Sequence, residues 1–258
     1  MAGSSRVQIA RDGRVVRVTL DRPPLNVLDI PTIQELDAGV RSLVSDSAGP
    51  DVLVIQGAGE RGFSAGVDIR DHTPDRVEQM LRSFHGVFRA LAAADRISIA
   101  AVHGVCLGGG FELAVSCDLM VCEETARLGL PEIEVGCFPP VAVAAFPERV
   151  GPARALDWVT TGRAIPVAEA AAAGLVARVA PAGGLAAAVD TLVASLLAKS
   201  SSVLRVTARA LKEPRRARFE AALAAAERAY LSDLLATRDL QEGVAAFVEK
   251  RSPVWTHR

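Results

Sequence analysis

Residues 97–122 read ISIAAVHGVCLGGGFELAVSCDLMVC. The apolar run over 97–104 has the length and β-branched content of a buried strand, and the glycines at 108–110 break it. FELAVS then continues as an apolar helical run, and DLMVC (118–122) returns to strand character. Strand, tight turn, helix and strand in that order predict a crossover unit joining parallel strands. The turn matters chemically as well as topologically. Amides at a helix N-terminus have no intrahelical acceptor and carry the positive end of the helix dipole, so Gly108-Gly109-Gly110 suits a developing oxyanion. Nucleotide phosphate fits less well, because no Lys-Ser/Thr follows the glycines and no GxGxxG with a later ribose-binding acid is spelled out.

The same alternation extends outward. VQIA (7–10) and RVVRVTL (14–20) flank Asp12-Gly13 and predict an antiparallel hairpin. A helix is expected from Pro31 to Val44, with Asp29 as cap, Pro31 in the first turn and Ile33, Leu36, Val40 and Leu43 at helical spacing. VLVIQG (52–57) reads as a buried strand feeding the loop GAGERGFSAGVDI, and residues 74–94 read as an amphipathic helix. Beyond residue 150, Ala-rich segments at 152–160, 166–173, 184–198, 201–212, 215–236 and 238–250 read as helices. The fold class is therefore α/β with a helical C-terminal region, and the apolar face carrying Phe219, Leu223 and Tyr230 suits either intrachain packing or an oligomer.

The chain has 258 residues, half of them hydrophobic, with 29 Lys and Arg against 30 Asp and Glu. A net charge of −1 supplies no field drawing the protein to nucleic acid or an anionic membrane, so a small-molecule partner is expected. Cys106, Cys117, Cys122 and Cys137 sit in apolar runs with no CxxC pair, which argues for packed thiols and against a metal or disulfide framework. MAGSSRVQIARDGR has no apolar h-region, and the expected location is cytoplasmic.

Two acids stand near the glycine turn in sequence. Glu112 follows it within the first helical turn, where its Cα–Cβ bond tilts back towards that turn, and Glu132 lies in LPEIEVG (130–136) after a strand. Two carboxyl groups beside oxyanion amides can add or remove water next to an acyl carbonyl, one handling the water and the other the α-proton. Like charges at close range raise one pKa, so the pair is expected to titrate as a unit. His103, at a strand end, has no necessary task in that scheme and is expected to be a packed residue.

With these motifs in view, the chain resembles the crotonase (enoyl-CoA hydratase/isomerase) superfamily over nearly its whole length. RPPLNVLD (22–29), FSAGVDI (63–69), CLGGGFELAVSCDLMV (106–121) and LPEIEVG carry the likeness, with TGRAIPVAEAAAAGLVARV (161–179) and AFVEKRSPVW (246–255). The resemblance implies a spiral of ββα turns over residues 1–195 and a helical extension over 196–258 that serves assembly into trimers or hexamers and closure of the site. It implies an oxyanion hole from the amides of Val67 and Gly109, Glu112 and Glu132 as the two acids, and CoA contacts at Leu25, Ala65, Gly66, Asp68 and Ile69. Lys250 or Arg251 either reaches a CoA phosphate, as similar tails suggest, or is surface charge. No cofactor is implied beyond the CoA of the substrate.

One segment departs from the family pattern. GCFPPVAVAAFPERVG (136–151) stands where relatives carry a glycine-rich stretch, placing Pro139, Pro140 and Val141 at the expected acyl pocket. That variant, with DHTPDRVEQMLRSFHG upstream, is similar to 3-methylglutaconyl-CoA hydratases and cyclohexa-1,5-diene-1-carbonyl-CoA hydratases. The first substrate is the expectation, and its distal carboxylate needs a cation, for which Arg70, Arg76, Arg82, His72 and His85 are candidates. Isomerisation or decarboxylation through the same oxyanion hole is the alternative within the superfamily. A non-catalytic RNA-binding role fits poorly with three Lys and 4% aromatics.

Overall fold

The computed structural model describes residues 5–46 and 48–258. The hairpin forms as expected: β1 (Val7–Asp12) pairs antiparallel with β2 (Val15–Leu20), Asp12 opposite Val15, and Gly13 turns the chain at φ +56°. The turn needs a left-handed residue, which glycine adopts without a Cβ penalty. α1 (Ile30–Ser45) follows, its N-terminus capped by the Asp29 carboxylate accepting from Thr32 N, with Ile33, Leu36 and Val40 buried.

The chain then repeats a unit of two strands and a helix. A long strand enters one sheet, a short strand turns into a second sheet, and a helix returns over both. β3 (Val52–Gly57) is followed by β4 (Gly62–Ser64) and α2 (Val77–Ala93), and β5 (Ile97–Val102) by β6 (Val105–Leu107) and α3 (Gly109–Ser116). β7 (Leu119–Glu123) and β8 (Arg127–Gly129) are followed by a 3-10 turn (Pro131–Val135), α4 (Pro140–Val150) and α5 (Pro152–Thr161). β9 (Ala164–Ile165), α6 (Val167–Ala172), β10 (Arg178–Ala180) and α7 (Leu185–Leu197) complete the spiral.

The larger sheet has the order β1-β2-β3-β5-β7-β10, parallel from β2 onward, and the smaller has the order β4-β6-β8-β9. Leu53, Ile55, Ala100 and Val102 face a core shared with α1 to α5, whereas Val52, Val54, Ile99 and Val121 face α7 through Val189, Leu192 and Val193. Burial of both faces is why VLVI and ISIAAV read as unbroken apolar runs.

One stretch differs from the sequence expectation. Ser201–Arg228 is one helix, α8, rather than two separated near Pro214, and it runs on into a π-helical turn (Ala229–Leu234). Pro214 and Ala210, whose carbonyl loses its helical partner, are both exposed residues, so the oxygen is not left in an apolar core. The segment 140–150 is helical because Pro140 occupies the first turn, where its missing N–H is no loss. Residue 195, after which the helical extension is expected to begin, lies within α7. α9 (Arg238–Glu249), capped by Thr237, packs against the 3-10 turn that carries Glu132. Among the described residues no single helix is long and apolar enough to cross a membrane.

Candidate active site

A cavity of about 360 Å³ lies where the glycine turn, the 65–72 loop, α2, the 131–140 segment and α9 meet. Its mouth chemistry is set by backbone conformation. Gly108 stands at φ +53° and ψ −131°, and Gly66 at φ +98°, both outside the range a side chain tolerates. They allow close approach: a Cβ on Gly66 would stand 2.9 Å from Leu107 O and 3.1 Å from Gly109 N, and one on Gly109 would stand 2.7 Å from the Val67 side chain. A parallel bridge from Leu28 to Val67 engages Gly66 O and Asp68 N and leaves the Val67 amide pointing away. Among the described residues neither Val67 N nor Gly109 N donates to a protein acceptor. The expected oxyanion pair thus comes together at the cavity wall.

Glu112, on α3, is 3% exposed. Its Oε1 accepts hydrogen bonds from Val141 N and Ala142 N, both at 2.9 Å. The carboxylate is therefore received by the first turn of α4, not directed back to the glycine turn of its own helix as the sequence suggested. Burial lifts its pKa to about 7, with the two amides opposing that rise. Glu132 lies in the 3-10 turn, with Oε1 2.9 Å from where a Cβ on Gly108 would stand. Its Oε2 is sealed from solvent and has no partner among the described residues. Burial, and then the charge of Glu112, push Glu132 well above the ordinary carboxyl range. The acids meet at one cavity in different settings, Glu112 held by two amides and Glu132 with its Oε2 unpartnered among the described residues.

The remaining expected residues divide. Ala65, Gly66, Ile69, Pro139 and Pro140 line the cavity. Val141 is fully buried and contributes its amide rather than its side chain. Leu25 does not line the cavity but accepts from Ala65 N at 2.9 Å, fixing that loop. Asp68 is also outside, its carboxylate bonded to Arg70 N and to the Arg70 guanidinium, which holds it below the usual range. Arg251 lines the cavity, where Glu242 and Glu249 engage it; Lys250 instead ends α9 at φ +56°. His103 is a strand-end residue bonded to Gly59 O, as expected.

The expected cations are not delivered to the cavity. Arg70, Arg76 and Arg82 pair with Asp68, Asp71 and Glu78 and lie outside the lining. His72 and His85 do line it, but burial lowers the His72 pKa to about 4 and lowers that of His85, so both are neutral near pH 7. The sequence reading missed the Val141 and Ala142 amides and the pair formed by His72 Nδ1 and Tyr230 OH at 2.8 Å. The first was signalled by a proline followed by an apolar run, the pattern of a helix start. The second spans 158 positions and has no local signal.

The sequence profile described as enoyl-CoA hydratase/isomerase matches residues 10–258. The chain is 36% identical over 260 residues to a probable enoyl-CoA hydratase, echA8, of Mycobacterium tuberculosis, covering 98% of each. It is 35% identical over 264 residues to a cyclohexa-1,5-dienecarbonyl-CoA hydratase of Thauera aromatica, covering 98% of this chain and 97% of that one. A crystal structure of an enoyl-CoA hydratase from Mycobacterium avium subsp. paratuberculosis superposes with a TM-score of 0.88 at 30% identity, covering 97% and 98% of the two chains. Sequence and structure agree from the first hairpin to the last helix, and the chain belongs to the enoyl-CoA hydratase/isomerase family of crotonase-fold enzymes.

Proposed function

We propose that the protein is an acyl-CoA hydro-lyase that adds water reversibly across the α,β double bond of an enoyl thioester. The observation that carries this reading is the pair of acids in unlike settings, Glu112 buried and Glu132 half-buried with its Oε2 sealed, at the wall that holds the Val67 and Gly109 amides. With the thioester oxygen between those amides, the charge of the enolate is stabilised as it develops. Glu112, ionised, takes a proton from water as the oxygen bonds to the β-carbon. Glu132, protonated, delivers its proton to the α-carbon. The proton gained by Glu112 and the one lost by Glu132 balance through solvent before the next turnover.

The acyl group favoured by the lining is neutral and branched or cyclic. A distal carboxylate, as in the expected 3-methylglutaconyl-CoA, would face two neutral imidazoles and an arginine that two glutamates already engage. Phe84, Phe138, Pro139 and Pro140 suit a ring, in line with the similarity to the Thauera aromatica hydratase. The expected trimer or hexamer belongs to the same reading, supported by Val203, Val206 and Leu211, each more than half exposed on α8. Loss of enoyl-thioester absorbance with cyclohexa-1,5-diene-1-carbonyl-CoA, 3-methylglutaconyl-CoA and crotonyl-CoA tests the assignment. The cyclic substrate is expected to give the highest kcat/KM; a higher value for 3-methylglutaconyl-CoA would overturn the neutral acyl group.

A further inference from the structure

The two-acid reaction leaves one buried polar edge of the cavity unused. His85, on α2, is fully buried and lines the cavity. Its Nδ1 lies 2.6 Å from Glu227 Oε1 on α8, and Glu227 is outside the lining. A carboxylate accepts and does not donate, so the ring proton sits on Nδ1 and is held there. Arg89 clamps the same carboxylate with two hydrogen bonds, at 3.0 and 2.9 Å, and its Nε also bonds Glu220. The ring is thereby oriented by Glu227 on α8, which Arg89 on the ring's own helix holds in place. Its other nitrogen, Nε2, is withdrawn from solvent and has no partner among the described residues. Buried polar atoms left unpaired are rare and disfavoured, and here the rest of the ring is fixed with care.

We infer that His85 Nε2, with its tautomer set by Glu227, is a specificity determinant that accepts a hydrogen bond from a hydroxyl on the acyl group of the substrate. The inference rests on the acyl-CoA reading of the cavity and adds to it a second oxygen, distinct from the one that water supplies. Its partner must be a donor. Nδ1–H already faces the carboxylate, and burial keeps the ring neutral, so Nε2 offers a lone pair. A carboxylate or ketone on the acyl group would meet lone pair against lone pair. A hydroxyl pairs with it and fills an acceptor that a plain hydrocarbon leaves buried and unsatisfied. His72 is not the equivalent group, because its Nδ1 is already paired with the Tyr230 hydroxyl.

The test compares binding of cyclohexanecarbonyl-CoA with that of its ring-hydroxylated isomers by titration calorimetry. These saturated thioesters cannot be hydrated, so the result is independent of turnover. At least one isomer is expected to bind about tenfold or more tighter than the plain thioester. His85→Leu is expected to abolish that preference, and His85→Gln, whose amide oxygen can stand near Nε2, to restore part of it. Equal binding of plain and hydroxylated thioesters by the unaltered protein would overturn the proposal, as would a preference that survives in His85→Leu or one that His85→Gln fails to restore. If hydration assays fail while the hydroxylated thioester still binds preferentially, the hydro-lyase reading falls and the role of His85 stands. Failure of every thioester to bind would remove both.

Discussion

The carboxylate of Glu112 and the amide of Val141 are joined by a 2.9 Å hydrogen bond, and Ala142 N reaches the same oxygen at the same distance. One acid of the pair is thus bound to the positive end of α4. Two amides on one oxygen fix the direction of the carboxylate and stabilise its ionised form against burial. They also explain how an acid at 3% exposure titrates near neutrality rather than staying protonated. Glu132, whose Oε2 has no such donor among the described residues, is pushed well up by burial and by the charge of Glu112, which favours its protonated form.

Replacing Glu112 by Gln keeps an oxygen able to accept from Val141 and Ala142, so the fold should survive while the base is lost. The expected cost in kcat is about 10²- to 10⁴-fold. Hydration kinetics and a thermal melt on the same sample check it. Unchanged kcat would remove Glu112 from the reaction, and gross unfolding would show that its charge is structural.

The pH profile follows from the same pair. Activity needs Glu112 ionised and Glu132 protonated, so kcat/KM should rise through an acid limb near pH 7 and fall again at higher pH. Stability has the opposite slope. Glu112 binds its proton more tightly folded than unfolded, so its contribution is complete below 4.5 and is lost as pH rises through about 7. Glu112→Gln, which does not titrate, should gain on the unaltered protein by on the order of 1–3 kcal/mol between about pH 4 and 8. Urea denaturation at the two pH values measures the gain. A difference independent of pH would show that Glu112 is not raised.

Much of this was legible in the sequence because it is local. ISIAAVHG and VLVIQG are long apolar runs between breakers, and the glycines at 66 and 108 mark turns that only glycine accepts. Asp29 and Pro31 announce the start of α1 within three residues. What the sequence hid depends on distant contacts. Glu112 meets α4 across 29 positions, and His85 meets Glu227 across 142. PPVAVAAFPERV reads as bulk at the acyl pocket, yet it also starts a helix, because a proline is permitted in the first turn. The arginines of residues 70–82 read as candidate cations because local sequence does not reveal that Asp68, Asp71 and Glu78 claim them.

Gly108 faces the carboxyl group of Glu132. A Cβ there would stand 2.9 Å from Glu132 Oε1, on a backbone at φ +53°. Gly108→Ala is expected to lower kcat by about tenfold or more by displacing that carboxyl group. It should also destabilise the fold by about 1–3 kcal/mol through the strained backbone. Kinetics and chemical denaturation check the two effects, and near-normal values of both would show that the turn yields freely.

Gly243 places α9 against the turn that carries Glu132. Its Cα faces the Val135 carbonyl so closely that a side chain would collide with backbone. Gly243→Val should lift α9 from the cavity, raising KM and costing about 1–3 kcal/mol of stability. A variant with unchanged KM and melting temperature would show that α9 does not seal the site.

In the proposed reaction Glu112 and Glu132 add water to an enoyl thioester held at the Val67 and Gly109 amides. Its most direct test is incubation of the protein with cyclohexa-1,5-diene-1-carbonyl-CoA and with crotonyl-CoA in ¹⁸O-labelled water, reading the products by mass. One labelled oxygen is expected in the hydrated thioester, formed faster from the cyclic substrate and suppressed in Glu112→Gln and Glu132→Gln. Thioesters that bind yet return isomerised or decarboxylated products without label would contradict it.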